Sequence, residues 1–203
     1  MSVVRRLPRY YRFLDYLNKE GVVRISSREL AEKMGLTASQ IRQDLNCFGG
    51  FGQQGYGYNV AQLRDEIGSI LGLDHHFKCI IIGAGNLGRA LAMHMNFEQR
   101  GMKLTAVFDR NEAYSGQIVA GIPIRNIGGL EDFCSADKPD IAVLCVPREA
   151  ADEVAGQLVK LGIRGVWNFS HSDLSVNYPQ LSVENVHLVD SLMTLCYKVN
   201  DRN

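Results

Sequence analysis

An apolar run that leads into a glycine-rich turn lies near the middle of this 203-residue chain and limits what the second half can fold into. The stretch begins at residue 78 and reads KCIIIGAGNLGRAL. Gly83, Gly85 and Gly88 have G-x-G-x-x-G spacing: the first permits a tight turn, the second lets backbone N–H groups approach a pyrophosphate, and the third allows close helix–strand packing. The pattern predicts a strand over residues 79–82 and a helix over 86–97, whose positive N-terminal end faces bound phosphates.

Candidate nucleotide-binding residues follow from this motif and from the strands after it. The next strand, KLTAVFD, ends at Asp109, about 20 residues after the last glycine, where an acidic side chain binds a ribose. A carboxylate there favours NAD(H) over NADP(H), although Arg110 beside it could accommodate a 2′-phosphate. Further apolar runs, such as DIAVLCV over residues 140–146, indicate a parallel sheet covered on both faces, with a crevice at the carboxyl ends of its strands. The predicted cofactor-binding residues are Gly83, Ala84, Gly85, Asn86, Leu87, Gly88, Asp109, Arg110, Val146, Pro147, Asn168 and Phe169.

The segment before the nucleotide motif carries helix signals of its own. Apolar residues recur at helical spacing over residues 7–17. Ser26 with Glu29 has the pattern of a capping box, in which two side chains satisfy two unpaired backbone N–H groups. Thr37 with Gln40 repeats that pattern shortly afterwards. Two short capped helices joined by a glycine-containing turn predict a helix-turn-helix.

Residues that could contact DNA lie on and around the second of these helices. Its outward positions carry residue types that hydrogen-bond to base edges and phosphates in a major groove. The glycine-rich stretch FGGFGQQGYGYN then predicts a hairpin, the wing of a winged helix, with Phe51, Tyr56 and Tyr58 packed beneath it. Arginines near the N-terminus form a local basic stripe, although the net charge of the chain is zero. A helical domain that makes only protein contacts is the alternative. The predicted DNA-binding residues are Arg5, Arg9, Ser39, Gln40, Arg42, Gln43, Gln53, Gln54 and Tyr56.

Composition excludes several classes of protein. No apolar run approaches the roughly 18 residues of a membrane helix, and the N-terminus lacks the apolar core of a signal peptide, so we expect a cytoplasmic protein. The five cysteines are scattered without C-x-x-C spacing, which is typical of reduced, packed thiols. His75 and His76 have no partner cysteines, so we expect no metal site.

An NAD-dependent oxidoreductase with an accessory helical domain is an alternative function. Such an enzyme needs a proton donor or acceptor near the nicotinamide and a substrate pocket, usually from a second domain of substantial size. The chain after Ser170 is too short for that domain, and no histidine has a carboxylate placed to suggest a catalytic pair. We therefore expect a nucleotide sensor and not an enzyme. The closing stretch, VHLVDSLMTLCYKV, is apolar at helical spacing and would be buried against a second subunit.

Over essentially its whole length the chain resembles the Rex family of redox-sensing transcriptional repressors. The matching stretches, in chain order, are RLPRYYRFL, ISSRELAEKMGLTASQIRQDL, FGGFGQQGYGYNV, GAGNLGRAL, VFDRNE, VPREAADEVA, LGIRGVWNFS and VENVHLVDSL. The resemblance implies a homodimer with a winged-helix domain (1–76), a Rossmann α/β domain with a parallel sheet (77–185) and a C-terminal helix (186–203) exchanged between subunits. It also implies repression through double-stranded operator DNA, which is released when NADH rises relative to NAD⁺.

The chain departs from the Rex pattern in its wing and at one end of its cleft. The family wing usually carries a basic residue where this chain has Gln53 or Gln54, which would weaken a phosphate contact. The family sequence NFAP is NFSH here, at the nicotinamide end of the pocket. A Rex-like DNA-binding protein with an altered or lost nucleotide response is therefore a further alternative.

A third departure concerns the switch between the two domains. In several relatives an Arg–Asp–Tyr network links them; Arg12 matches the arginine, but His94 and His187 hold the tyrosine and aspartate positions. Protonated imidazole would repel Arg12, so the resemblance predicts a weaker and pH-dependent coupling between NADH and DNA. The alternative is that the histidines pack at the subunit interface and another contact, such as one through Asp190, carries the signal.

Overall fold

The computed structural model describes residues 3–51 and 56–201, which form two compact units separated between Asp74 and His75. Gln53 and Gln54, predicted to bind DNA, lie outside the described residues. Within the described ranges, no helix is long and apolar enough to cross a membrane.

The first unit is a helical domain with one short antiparallel strand pair. Its elements are α1 (Leu7–Lys19), β1 (Arg24–Ile25), α2 (Ser27–Met34), α3 (Ala38–Asn46), β2 (Tyr58–Asn59) and α4 (Val60–Ile70). Strand β2 pairs with β1, so the described part of the predicted wing is tied to the chain before α2. Apolar side chains from all four helices form one core, including Leu14, Leu30, Ile41 and Leu63. The predicted helix-turn-helix is confirmed as α2 and α3.

The capping signals act largely as the sequence predicts. Ser26 Oγ accepts a hydrogen bond from the Glu29 N–H, and the Glu29 carboxylate accepts one from the Ser26 N–H. This capping box starts α2, and Gly35 ends it in the left-handed conformation. At the start of α3, Thr37 Oγ1 accepts from the Gln40 N–H at 3.2 Å, which is the threonine half of the predicted box.

The aromatic residues of the predicted wing do not all pack inward. Tyr58 is buried and Phe51 packs against the core, whereas Tyr56 is 71% exposed, so the packing prediction is wrong for Tyr56. Gly57 adopts a φ of +69° between the two tyrosines, which breaks the regular alternation of an extended chain. A Cβ atom at Gly57 would lie 2.6 Å from the carbonyl oxygen of Ile25, so the close β1–β2 approach also requires glycine there.

The second unit is an α/β domain around a largely parallel sheet. Its elements are β3 (Phe77–Ile82), α5 (Asn86–His94), β4 (Met102–Asp109), β5 (Ile118–Val119), β6 (Ile122–Asn126), α6 (Leu130–Ala136), β7 (Ile141–Leu144), α7 (Arg148–Lys160), β8 (Gly165–Asn168), α8 (Leu174–Asn177), β9 (Ser182–Asn185) and α9 (Leu188–Asn200). The strand order is β5-β6-β4-β3-β7-β8-β9, and the β5–β6 pair is antiparallel. Alternate residues of β3 pack into two apolar clusters, Ile80 in one and Ile81 in the other, so the sheet is buried on both faces as predicted.

Several element boundaries differ from the prediction, and β3 begins at Phe77 instead of residue 79. Helix α5 ends at His94 instead of residue 97, because Asn96 takes a left-handed φ of +46°, a conformation that asparagine tolerates better than most residues. Strand β7 ends at Leu144 instead of residue 146, and the carbonyl group of Cys145 after it lies beside Gly83 of the glycine-rich turn. These differences lie at the ends of elements, where tertiary contacts decide how far a helix or a strand extends.

Helix α9 presents an uncovered apolar surface. None of its residues, all of which the structure describes, is buried. The exposed large apolar side chains of this helix are Leu188, Val189, Leu192, Met193, Leu195, Tyr197 and Val199. A contiguous apolar surface of this kind on one helix marks an interaction site.

Candidate functional site

A cleft of about 700 Å³ lies at the carboxyl ends of the central strands of the second unit. Because the strand order is β4-β3-β7-β8, the cleft passes from Asp109 over the glycine turn and Val146 to Phe169. The predicted cofactor-binding residues that line it are Gly83, Gly85, Leu87, Asp109, Arg110, Val146, Pro147 and Phe169. The crevice therefore lies where a doubly wound sheet places its ligand.

The three glycines of the turn serve different purposes. Gly83 has a φ of +102°, and a Cβ atom there would lie 2.3 Å from the carbonyl oxygen of Cys145. A Cβ atom at Gly88 would lie 1.9 Å from the carbonyl oxygen of Gly83, so this glycine lets α5 pack against the turn. By contrast, a Cβ atom at Gly85 would meet no atom within 4 Å. The fold requires the first and third glycines, and the second leaves open space beside the N-terminus of α5.

Ala84 is buried, and its peptide groups are both engaged. Its N–H donates to Asp109 Oδ2 at 2.6 Å, and its carbonyl oxygen accepts from Arg89 Nε at 2.8 Å. Asp109 Oδ1 accepts from the Asn111 N–H at 2.7 Å. Because each carboxylate oxygen has two lone pairs, Asp109 can still accept hydrogen bonds from ribose hydroxyls. Ala84 thus helps to fix the turn, and its predicted contact with the cofactor stays a prediction.

Asn168, also predicted to contact the cofactor, is engaged in hydrogen bonds within the protein. Its side chain is fully buried, and its amide nitrogen donates to the Ser172 carbonyl at 2.6 Å and to Asn185 Oδ1 at 2.8 Å. Its Oδ1 accepts from both the N–H and the hydroxyl of Ser170. These bonds hold the turn that carries His171, a residue with a φ of +58° that lines the cleft. Of the other predicted residues, Asn86 is exposed at the start of α5 and Gly88 is buried within it.

The helix-turn-helix exposes most of the residues predicted to contact DNA. Ser39, Arg42 and Gln43 are exposed on α3, while Gln40 is half-buried and its backbone N–H donates to the cap at the start of the helix. Arg42 Nη1 donates to Ser27 Oγ at 3.1 Å, which holds the guanidinium near the N-terminus of α2. The remaining described candidates, Arg5, Arg9 and Tyr56, are also exposed. The first unit therefore presents cations and hydrogen-bonding groups on its surface.

A buried ion pair behind this surface has no signal in the sequence pattern. Asp44 on α3 is 3% exposed and accepts two hydrogen bonds of 2.6 Å from the Arg6 guanidinium and one of 2.7 Å from the Tyr10 hydroxyl. The Arg6 hydrogen bonds hold the pKa of Asp44 below its ordinary value. Burial, reinforced by Asp44, raises the pKa of the Tyr10 hydroxyl. The N-terminal segment is thus tied to the helix predicted to contact DNA.

Known proteins share this combination of units. Residues 1–46 match the family described as "Putative DNA-binding protein N-terminus", and residues 74–172 match the "CoA binding domain" family. A redox-sensing transcriptional repressor Rex from Clostridium botulinum (strain Eklund 17B / Type B) is 51% identical over 202 residues, which cover 100% of this chain and 96% of the relative. One from Thermoanaerobacter sp. (strain X514) is 53% identical over 99% of this chain and 89% of its own length. The chain belongs to the Rex family.

Solved Rex-family structures match both units together. The repressor RSP in complex with β-NAD⁺ and operator DNA has a TM-score of 0.93 and 51% identity, covering 100% of this chain and 94% of that one. RSP in complex with β-NADH has a TM-score of 0.90 and 48% identity over the same shares of the two chains. The predicted fold class, a DNA-binding-type domain followed by a Rossmann-type parallel sheet, is confirmed.

The histidines that depart from the Rex pattern, His94 and His187, both belong to the second unit and have different surroundings there. His187, directly before α9, stacks on His171, with ring centroids 6.1 Å apart and the ring planes inclined by 20°. His94 is exposed at the end of α5, Arg12 is exposed on α1, and Asp190 is exposed in the first turn of α9. His171, the ring partner of His187, lines the cleft. It is the histidine of the NFSH sequence, but that departure from the Rex pattern did not predict its contact with His187.

Other cleft residues were missed because they come from segments far apart in the chain. They are Asn111, Tyr114, Ile127, Ala150, Glu153, Gln157 and His171. Several lie on α7 or on the loop after β4, and no spacing of residue types in these segments indicates a nucleotide contact. Only the strand order brings these segments to one edge of the sheet.

Proposed function

We propose that the chain is a homodimeric transcriptional repressor that binds operator DNA through its first unit and responds to the NADH/NAD⁺ ratio through its second. The observation that carries this proposal is the full-length similarity, with a TM-score of 0.93, to a repressor solved with NAD⁺ and operator DNA. A repressor of this kind acts on chromosomal DNA, so we place it in the cytoplasm. Domains at 1–76, 77–185 and 186–203 fit this division of tasks.

The residues of the cleft fit a dinucleotide. The volume of about 700 Å³ suits a ligand of that size, and the N-terminus of α5 offers backbone N–H groups beside the open space at Gly85. Asp109 supplies an acceptor for ribose hydroxyls at one end, and the segment after β8 closes the other. When bound, the nicotinamide supplies the redox-sensitive group, and the protein reads which form is present.

A second copy of the chain is the partner that we propose for α9. Apolar side chains at helical spacing are exposed along this helix, and burying one such side chain contributes about 1.5–3 kcal/mol. Exchange of α9 between two copies would bury this surface and place the residues after His187 in contact with the partner. This arrangement connects the nucleotide cleft, through His171, to the dimer interface.

Titration of an operator complex with NADH, NAD⁺ and NADPH tests the proposed function. We expect NADH to release the operator at lower concentrations than NAD⁺ or NADPH. Repeating the titration at pH 6.2 and 7.8 tests the predicted pH dependence of the coupling, and an equal effect of NADH on operator affinity at both pH values would contradict a histidine switch. Release by none of the three nucleotides at either pH would contradict nucleotide sensing.

The Arg42→Ala protein should bind operator DNA more weakly. Arg42 is exposed on α3, and loss of a base-reading guanidinium costs on the order of 1–3 kcal/mol of operator binding. An electrophoretic shift or anisotropy titration measures the effect. Ser27→Ala is the matched control, because it removes only the hydroxyl that Arg42 contacts. Equal operator affinities of the parent and the Arg42→Ala protein would contradict this assignment.

The Asp109→Ala protein should lose both affinity for NADH and discrimination against NADPH. The carboxylate accepts ribose hydrogen bonds, repels a 2′-phosphate and also accepts the Ala84 N–H, so we expect a loss of at least about tenfold for NADH. The affinity for NADPH should fall less than that for NADH, so the preference of the protein for NADH over NADPH becomes smaller. Calorimetry with both nucleotides measures this, and unchanged discrimination would assign the selection to another group, such as Arg110.

A further inference from the structure

Arg89 on α5 connects three parts of the second unit that are distant in the sequence. Its Nε donates to the Ala84 carbonyl at 2.8 Å, and its Nη2 donates to Gln117 Oε1 at 2.8 Å. Its guanidinium carbon lies 4.8 Å from the centroid of the Tyr114 ring, within cation–π range. The three partners are the glycine turn, the chain before β5 and an aromatic wall of the cleft.

The chain between Asp109 and Gln117 is held by its own hydrogen bonds, by the backbone hydrogen bonds that Gly116 and Gln117 make with Ile124 of β6, and by Arg89. The Asn111 N–H donates to Asp109, and the Ala113 N–H donates to Asn111 Oδ1. Gln117 Nε2 donates back to the Ala113 carbonyl at 2.7 Å. These side-chain bonds give the segment a defined shape, and the bonds to Ile124 join its end to β6. Arg89 is the side chain from α5 that connects this segment to the glycine turn.

Tyr114 is placed to act on the adenosine half of a dinucleotide. It lines the cleft together with Asp109 and Asn111, at the end opposite Phe169 and His171. A planar ring beside a ribose-binding carboxylate suits contact with a purine base, because aromatic faces stack on bases. Arg89 lies over one face of the ring, and the ring also packs against the apolar cluster that contains Val119 and Ile124. These contacts together set where the ring lies in the cleft.

We propose that Arg89 is a positioning residue that sets the affinity for the adenosine half of the nucleotide by fixing Tyr114 against the glycine turn. The proposal rests on the proposed function of the cleft as a dinucleotide site. An arginine suits this task because its planar group can donate in two directions while it stacks on a ring, which lysine cannot reproduce.

Calorimetry with NADH and ADP-ribose tests the proposal, because ADP-ribose contains the adenosine half without the nicotinamide. We expect Arg89→Gln to weaken binding of both ligands by the same factor, about tenfold. Tyr114→Leu should have a similar effect, and the double variant should be no weaker than the weaker single variant, since both changes remove one arrangement. Tyr114→Phe keeps the ring and should bind like the parent, and Arg89→Lys should recover less than half of the lost binding free energy.

Arg125→Gln is the matched control, because Arg125 also lies over an aromatic ring, that of Phe133, but does not line the cleft. Its affinity for ADP-ribose should equal that of the parent. Parent-like ADP-ribose binding by Arg89→Gln, or losses that multiply in the double variant, would overturn the proposal. A parent protein that binds neither ligand would instead refute the proposed function. Melting temperatures of all variants separate a loss of folding, which would affect operator binding too, from a loss of the cleft geometry.

Discussion

The Gly85→Val protein is expected to bind NADH at least about a hundredfold more weakly than the parent and to bind operator DNA normally when no nucleotide is present. The backbone at Gly85 is extended, with a φ of −72°, and a Cβ atom there meets nothing within 4 Å. The fold therefore accepts the larger side chain. Valine would instead fill the space through which a pyrophosphate approaches the N–H groups at the start of α5.

Gly88→Ala is the informative comparison for this variant. Its Cβ atom would lie 1.9 Å from the carbonyl oxygen of Gly83, so either the helix or the turn must move. We expect a lower melting temperature for Gly88→Ala and an unchanged one for Gly85→Val. Calorimetry with NADH and a nucleotide-free operator titration measure the two effects, and NADH binding by Gly85→Val within a fewfold of the parent would contradict the assignment.

The difference between these glycines shows how far sequence reasoning extends in the nucleotide domain. The spacing of the motif predicted β3, the turn and α5, because a strand–turn–helix unit is a local structure. It could not predict the hydrogen-bond partners of Ala84 and Asn168, since these partners come from other strands and loops. Tyr114 and His171 were missed for the same reason, because the long-range order of the strands decides which loops meet at the cleft.

In the first unit, local signals predicted the helices, but they did not predict the ion pair between Asp44 and Arg6. Apolar spacing predicted α1 to within a few residues, and the caps predicted where α2 and α3 begin. Asp44 lies in a polar stretch of α3, yet its side chain is buried. Its partner Arg6 is 38 residues away and belongs to a cluster that the sequence predicted as a basic stripe. Arginines in such a stripe can steer phosphate or pair internally, and only the fold decides between the two.

The Asp44→Ala protein should have a first unit that is less stable by about 2–3 kcal/mol at pH 7. The substitution removes the carboxylate that accepts hydrogen bonds from the Arg6 guanidinium and the Tyr10 hydroxyl. Because this position is largely buried, the loss of these hydrogen bonds costs stability. Because α3 carries the exposed Arg42, we also expect weaker operator binding. Hydrogen exchange of α1 and α3 amides measures the local stability without interference from the second unit. Asp15→Ala is the control, since its contacts with Lys19 and Arg64 lie nearer the surface and should contribute much less.

The stability difference between the parent and the Asp44→Ala protein should depend on pH. Arg6 holds the pKa of Asp44 below its ordinary value of 3.8, so the charged carboxylate is favoured in the folded unit. The resulting stabilisation is fully present above about pH 5 and is lost as the pH falls through the folded-state pKa. The stability difference between the parent and Asp44→Ala should therefore be constant from pH 7 to 5 and should shrink below about pH 4, whereas the Asp15→Ala protein should follow the parent. A difference that stays constant down to pH 3 would mean that Asp44 stabilises the unit by packing and not by its charge.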